Sequence, residues 1–499
     1  MSSPVLIEKA LIKAREAFAR NVTRSVDFRI RQLKQLRACI DDNYDQFLGA
    51  LREDFRKPKF ESVITELEFV KNDIKYQLDH IHQYVKPQRV ARPAANILDD
   101  AYIKWDPLGV VLIFSAWNYP VQLMLAPLAG AIAAGNCVVI KPSEVAGSTA
   151  NVMASLLPKY LDKECYPVVT GGADVANQLL QERFDLVFFT GSPNIGKLVY
   201  QAASKHMTPV VLELGGKSPL YIDDSVEGQL EVAAKRVLWG KLTNSGQTCV
   251  APDYVLCSPS VQDRFVEASK KVLKDFYGDP AKSDSFARIV NDRNFDRLEK
   301  LLSATKGKVV VGGQTAKGER YIAPTLVANV TGNDSLMSEE LFGPILPIVP
   351  VKSEEEAIQF INRGEKPLAM YIFSNKQPTV NKFLDQTSCG SVCVNDTLMQ
   401  MVLHSLPFGG IGNSGIGKYH GTYSFETFSH SKSVLAKDYN PLIEYFASSR
   451  YPPYTDGKMK LLKVLAGPTP LDGLNYSQIF TVLGSFVVGI ISTYVYSAL

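Results

Sequence analysis

From Gly109 onward the chain alternates brief β-branched runs with longer amphipathic stretches. The runs fall at 110–114, 138–140, 167–170, 186–189 and 210–212, with helical periodicity between them. Short strands joined by helices predict a parallel sheet with crossover connections, a doubly wound α/β domain. Past Glu213 the rhythm repeats at 254–257, 309–311 and 345–351, which predicts a second α/β domain. Upstream, residues 1–84 are charged and amphipathic without turn clusters, and 26–43 and 64–84 predict helices. Pro87, Pro93 and Asn96 then break the pattern ahead of an extended segment at 101–105. No short-period repeat and no low-complexity tract interrupts this order.

Two long apolar stretches need separate readings. Residues 121–140 contain Gln122, Pro127 and Asn136 and run into CVVIKPSE, a buried strand, so this stretch belongs to the fold. Residues 479–499 carry no charge; Thr481, Ser485, Ser492, Thr493, Ser497 and two glycines interrupt an otherwise apolar surface. As a helix they span roughly 31 Å, enough for a bilayer core. A buried terminal core helix is the alternative, but such helices usually show a polar stripe. The N-terminus, with Glu8, Lys9 and Lys13, has no secretory apolar region. Lys458, Lys460 and Lys463 precede the apolar segment, on the flank expected to face the cytosol. The expectation is a tail-anchored membrane chain with its folded domains in the cytosol. The endoplasmic reticulum is the first choice of membrane, with the mitochondrial outer membrane, lipid droplet or peroxisome as alternatives.

The bulk numbers narrow the class. A chain of 499 residues has room for two or three domains. Its 54 Lys and Arg against 51 Asp and Glu leave a net charge of +3, which gives no electrostatic case for nucleic acid. The basic run 29–37 places Arg31, Lys34 and Arg37 at helical spacing and reads as a solvated helix face. Seven cysteines show no metal-ligand spacing, and His404, His420 and His430 are too far apart for a zinc cluster, so no metal is expected. A reducing compartment is the simplest reading of those thiols.

The candidate chemistry centres on WGKLTNSGQTCVAPDY (239–254), which puts Cys249 in a small polar turn behind Gly246, Gln247 and Thr248. Glu213, in VLELGGKSP, lies 36 positions upstream. A cysteine nucleophile with a separate carboxylate points to covalent chemistry followed by activation of water. Alone, Cys249 reads more readily as an inert buried thiol. FFTGSPNIGK (188–197) follows a predicted strand and opens a predicted helix. Gly191 allows a tight turn there, and Ser192 with the first helical amides can meet a pyrophosphate. On its own this G-S-x-x-x-G, closed by Gly196, is a weak signal. Lys141, at the end of a buried strand in VVIKPSE, and Glu144 sit where parallel sheets bind nucleotides.

Taken together, the Cys249 and Glu213 segments resemble the catalytic signatures of the aldehyde dehydrogenase superfamily, and nearly the whole chain is similar to its class 3 branch, which includes fatty aldehyde dehydrogenases. The resemblance implies an aldehyde dehydrogenase-like fold: a Rossmann-type cofactor domain at 1–84 and 107–212, an α/β catalytic domain at 213–398, and bridging and oligomerisation elements at 85–106 and 399–430. A C-terminal extension at 431–478 would lead to the anchor at 479–499. By the same resemblance Cys249 attacks the aldehyde, while Asn118 in FSAWNYP and the backbone N–H of Cys249 donate to the oxyanion. Glu213 serves as base for the hydrolytic water. Lys141 and Glu144 contact the adenosine ribose of NAD, with NADP accepted by some class 3 members. Gly191, Ser192 and Gly196 form the cofactor turn. In EELFGPILP, Glu340 bonds the nicotinamide ribose and Phe342 packs near the nicotinamide.

HSLPFGGIGNSGIGKYHGTYSFETFSH (404–430) is close to the class 3 pattern at the active-site entrance and dimer contact, and a homodimer is implied. The substrate expected is a medium- to long-chain aliphatic aldehyde, oxidised to its acid. Two alternatives stay open: an acylating enzyme that hands the thioester to a thiol, and a crystallin-like protein that keeps the fold without the reaction.

Overall fold

The computed structural model describes residues 4–92, 96, 99–466 and 481. They form two units, one of residues up to Ile81 with Pro107–Ser429, the other of His82–Asp106 with residues from His430 onward.

The larger unit holds two sheets. The first has the order Gly415–Ile416, Val210–Glu213, Leu186–Thr190, Val110–Phe114, Cys137–Lys141. All its pairs are parallel except the short edge strand Gly415–Ile416. Every residue of Val110–Phe114, Cys137–Lys141 and Leu186–Thr190 is buried, as expected for a parallel sheet covered by helices on both faces. The helix Gln122–Ala134 covers part of it and is buried on all sides, which accounts for the continuous apolar run that begins at Val121. Its C-terminus is closed from an unexpected direction. Arg29, grouped by the sequence with a solvated basic face, is buried, and its guanidinium donates to the carbonyls of Thr23 (2.8 Å) and Ala133 (3.1 Å). Gly135, at φ +93°, leaves the room: a Cβ there would sit 2.5 Å from the guanidinium carbon. Arg31 and Lys34 do face solvent.

The second sheet runs Ser391–Val394, Ala369–Phe373, Pro219–Ile222, Tyr254–Cys257, Ile345–Pro350, Thr325–Ala328, Lys308–Val311. It is parallel apart from its last pair. Both predicted α/β sheets are therefore present, with more strands in the second than the sequence marked. The expected strand at 167–170 shortens to a single bridge, Ile140 to Val168. Pro167 contributes only a carbonyl there, to Ile140 N–H, and Gly171 at φ +156° turns the chain away.

In the smaller unit Gln88–Arg89, Asp100–Pro107 and Ser429–Ala436 form a three-stranded sheet in that order. The stretch 399–430, grouped from sequence with 85–106, therefore divides: residues up to Ser429 belong to the larger unit, and the strand that begins there joins the smaller. The extension carries the helices Pro441–Ala447 and Asp456–Ala466. The apolar segment 479–499 lies, Thr481 apart, outside the described residues. Among the described residues no helix is long and apolar enough to cross a membrane.

Candidate active site

The turn that presents Cys249 is built by backbone strain held in place by a buried amide. After the helix Leu230–Leu242, Asn244 (φ 54°), Ser245 (φ 55°) and Gly246 (φ 77°) are successively left-handed. Such residues are rare outside glycine and persist only when their surroundings fix them. At Gly246 a Cβ would meet the Gly343 carbonyl oxygen at 2.2 Å, so glycine is required. The fully buried Gln247 does the fixing: its Nε2 donates to the carbonyls of Asn244 and Arg288, each at 3.0 Å, and its Oε1 accepts from Val290 N–H at 2.9 Å. The thiol of Cys249 is pushed up to about 12, by burial first and then by the charges of Glu340 and Glu213; the backbone N–H groups of Cys249 and Val250 act in the opposite direction. The resting nucleophile is thus a protonated thiol.

Asn118 and Glu213 reach the same cleft from the carboxyl edge of the first sheet. Asn118 follows Val110–Phe114 and is clasped to the nucleophile turn: its Nδ2 donates to the Gln247 carbonyl at 3.1 Å, and Asn244 Nδ2 donates to its carbonyl at 2.8 Å. Glu213 ends Val210–Glu213, opposite Thr190 on one side and Gly415 on the other. It is 3% exposed, and neither carboxylate oxygen has a hydrogen-bond partner. Burial holds its carboxyl well above the ordinary carboxylate range. A base must be deprotonated to act, so its raised pKa moves the rising limb of any rate it controls to higher pH. Hydrolysis of an acyl-enzyme should therefore still be climbing with pH above the range of about 4 where a free glutamate ionises. Rapid-quench measurement of deacylation against pH checks this, and the limb should vanish in Glu213→Gln.

The cofactor candidates line the same cleft, a cavity of about 1660 Å³ in the larger unit that contains Cys249, Asn118, Glu213, Lys141, Glu144, Gly191, Ser192, Glu340 and Phe342. Lys141, nearly buried, donates to Glu144 Oε2 at 2.8 Å. Ser192 is the N-cap of Pro193–Ser204, and its side chain makes no cap hydrogen bond, which leaves first-turn N–H groups free for an anion. Gly191 has no room for a Cβ, which would lie 2.5 Å from the Phe189 ring. Gly196 does not line the cleft. It lies behind the turn, where a Cβ would collide with Leu214 at 2.6 Å, so its part is close helix-to-strand packing. Glu340 sits against Gly215, where a Cβ would be 2.1 Å from its Oε2. Its carboxyl is pushed up to about 8, by burial first and then by Asp253, against the pull of Gly216 N–H, Lys217 and Lys241. Phe342, at φ 53°, meets Trp117 edge-on with ring centroids 5.3 Å apart.

Two buried charge groups behind this cleft were not assigned from sequence. Asp253 accepts from Lys217 Nζ at 2.7 Å and from Leu341 N–H at 3.2 Å, with Lys241 Nζ 3.5 Å away. Lys217 also donates to the carbonyls of Leu336 and Glu339, both at 2.9 Å, so this group ties down the segment that carries Glu340. Lys217 and Asp253 both stand inside the quoted motifs, and their charge in apolar surroundings was the available signal. Lys57 pairs with Glu66 at 2.8 Å with both side chains fully buried; their nine-residue separation fits no helical period. His404 and His420 pack around Phe69, and His404 Nδ1 is 3.6 Å from Asp73. Among the described residues no cluster of His, Cys, Asp or Glu could hold a metal.

A nucleophile, a buried carboxyl without a hydrogen-bond partner and a side-chain amide thus share one cleft with an open helix N-terminus. Comparison with known proteins identifies the family. The profile of the aldehyde dehydrogenase family matches residues 2–434. Aldehyde dehydrogenase family 3 member B1 of Rattus norvegicus is 47% identical over 92% of this chain and 97% of its own length. The Rattus norvegicus aldehyde dehydrogenase named dimeric and NADP-preferring is 48% identical over 90% of this chain and 98% of its own. Among solved structures, the substrate-bound state of Staphylococcus aureus AldH has a TM-score of 0.90 at 41% identity, covering 94% of this chain and all (100%) of that one. By profile, sequence and structure this chain belongs to the aldehyde dehydrogenase family, on its class 3 branch.

Proposed function

We propose that this chain oxidises medium- to long-chain aliphatic aldehydes to carboxylic acids with NAD, accepting NADP, through a thioester on Cys249. The observation that carries the reading is the shared cleft of Cys249, Asn118 and the unpartnered carboxyl of Glu213. The cleft also fits a dinucleotide: the uncapped start of Pro193–Ser204, Gly191 and Gly215 without room for a Cβ, and a carboxylate at each end, Glu144 and Glu340. When bound, the oxidised nicotinamide supplies the hydride acceptor and a positive charge that favours the thiolate.

The chain's own residues do the rest. The Cys249 thiol first releases its proton to solvent; the thiolate sulfur then bonds to the aldehyde carbon as the carbonyl π pair moves onto oxygen as an oxyanion. The second N–H of the Asn118 amide and the backbone N–H of Cys249 donate to it. The oxyanion reforms the carbonyl as the hydride leaves carbon, giving a thioester. Ionised Glu213 then takes a proton from water as its oxygen adds to the acyl carbon; the C–S bond breaks, and the carboxylic acid departs with the thiolate restored. Asn118→Ala should lower kcat by roughly 10² to 10³, about 3 to 4 kcal/mol of oxyanion stabilisation, checked by first-turnover NADH formation at saturating aldehyde. Glu213 favours water over a thiol as acyl acceptor, since an enzyme that avoids hydrolysis has no use for a base at that point.

The substrate class rests on the tail. Each buried CH₂ contributes about 0.8 kcal/mol, so long-chain aldehydes reside in lipid, and residues 479–499 with Lys458, Lys460 and Lys463 ahead of them suit a cytosol-facing enzyme anchored in a bilayer, the endoplasmic reticulum first. Deleting 479–499 should release a chain that sediments as a homodimer and keeps activity on short and medium aldehydes. Its advantage on membrane-embedded long-chain aldehydes should fall. A truncated chain that stays on membranes, or a full chain that rejects aldehydes longer than about eight carbons, for which burial is worth about 6 kcal/mol, would overturn this part.

A further inference from the structure

The turn 118–121 is held from behind by a charge pair that no step above uses. Lys57 and Glu66, 2.8 Å apart, are fully buried. The second oxygen of Glu66 accepts from the backbone N–H groups of Val121 at 3.0 Å and Gln122 at 2.9 Å. These open the helix Gln122–Ala134, whose own N-cap residue, Val121, has no side-chain acceptor. The Lys57 ammonium lies 3.9 Å from the centroid of the Tyr119 ring. The Tyr119 hydroxyl in turn shares a 2.6 Å hydrogen bond with Thr248, the residue before the nucleophile. Capping alone does not call for this arrangement: serine or asparagine at the N-cap satisfies such donors, whereas burying two ions is costly unless their geometry is fully satisfied. What the ion pair adds is rigidity at three of the four positions that follow Asn118, Tyr119 through its ring and Val121 and Gln122 through their amides.

We infer that Lys57 and Glu66 are positioning residues for aldehyde oxidation, locking the turn 118–121 so that the free N–H of the Asn118 amide meets the substrate oxygen carried on Cys249. The inference rests on the reading of Asn118 as oxyanion donor. Asn118 is clasped in front by Gln247 and Asn244, and the pair fixes it from behind, so its amide has little freedom to follow a displaced oxyanion. Oxyanion donors act only from a preorganised position, and misplacement by about 1 Å can cost on the order of 10²-fold in rate.

The test is a double-mutant cycle on the full chain. Lys57→Met/Glu66→Gln removes both charges together and so avoids stranding one buried ion. First-turnover NADH formation should slow by about 10- to 100-fold, with aldehyde KM changed by less than about threefold. In an Asn118→Ala background, with no amide left to misplace, the same pair of substitutions should change that rate by less than about twofold. Equal slowing in both backgrounds would overturn the inference, because a general loosening of the fold adds to the loss of Asn118. An Asn118→Ala chain with unchanged rate would instead overturn the oxyanion reading itself, and the inference with it. If the paired variant fails to fold, Glu66→Asp keeps both charges, withdraws the carboxylate by one methylene, and is judged by the same cycle.

Discussion

Replacing Cys249 with Ala abolishes aldehyde oxidation and leaves cofactor binding intact. Every bond change proposed for the aldehyde carbon passes through the Cys249 sulfur, and no second thiol lines the cleft. The other six cysteines serve as a control, since none of them shares that cavity. The binding side is separable because its candidates come from other segments: Lys141 and Glu144 at a strand end, Gly191 and Ser192 at a helix start, Glu340 and Phe342 in a loop held by Asp253 and Lys217. Alanine leaves the backbone N–H groups of residues 249 and 250 and the strained turn before them in place. NAD binding followed by quenching of protein fluorescence should therefore match the unsubstituted chain, while NADH formation falls to background. Residual turnover above about 10⁻³ of the original would point to another nucleophile, since removing a nucleophile outright commonly costs more than that.

Glu213→Gln stalls the reaction halfway. Glutamine is close in volume and carries no charge into this buried place, where burial already disfavours the ionised carboxyl. Thiol addition and hydride loss do not need a base at residue 213, but the attack of water does. The first turnover should release one equivalent of NADH per active site at near-normal rate. Later turnovers should slow by about 10² to 10⁴, the usual contribution of a positioned general base. A stopped-flow trace with a burst and a slow linear phase is the signature. A chain that is slow from the first turnover would give Glu213 an earlier role.

The sequence was most legible where the chemistry is local. Glycines that require special backbone or close approach, Gly191, Gly215 and Gly246, mark the cofactor turn, the cradle of Glu340 and the nucleophile turn, and their neighbours form recognisable words. The buried strands Val110–Phe114 and Leu186–Thr190 were equally plain, because full burial on two faces demands an uninterrupted apolar run. Pro219–Ile222, Thr325–Ala328, Ala369–Phe373 and Ser391–Val394 were missed. Each is four or five residues long, three lie inside the sheet between two partners, and pairing on both sides supplies what their own propensity lacks. Gly196 was misread because a glycine that lets a helix approach a strand looks, in one dimension, like a glycine that lets a ligand approach. Lys57, Glu66 and the ties of Asp253 were invisible for the opposite reason. Their partners are brought together only by the packing of separate elements, and no spacing along the chain records it.

Mass analysis of the peptide bearing Cys249 decides the covalent route. Glu213→Gln chain is quenched in acid during turnover with decanal and NAD, digested, and compared with a sample lacking NAD. A decanoyl group on Cys249 that appears only with NAD, in step with the NADH burst, is the predicted outcome. NADH accumulating beside an unmodified Cys249, or an acyl group on another residue, would contradict it.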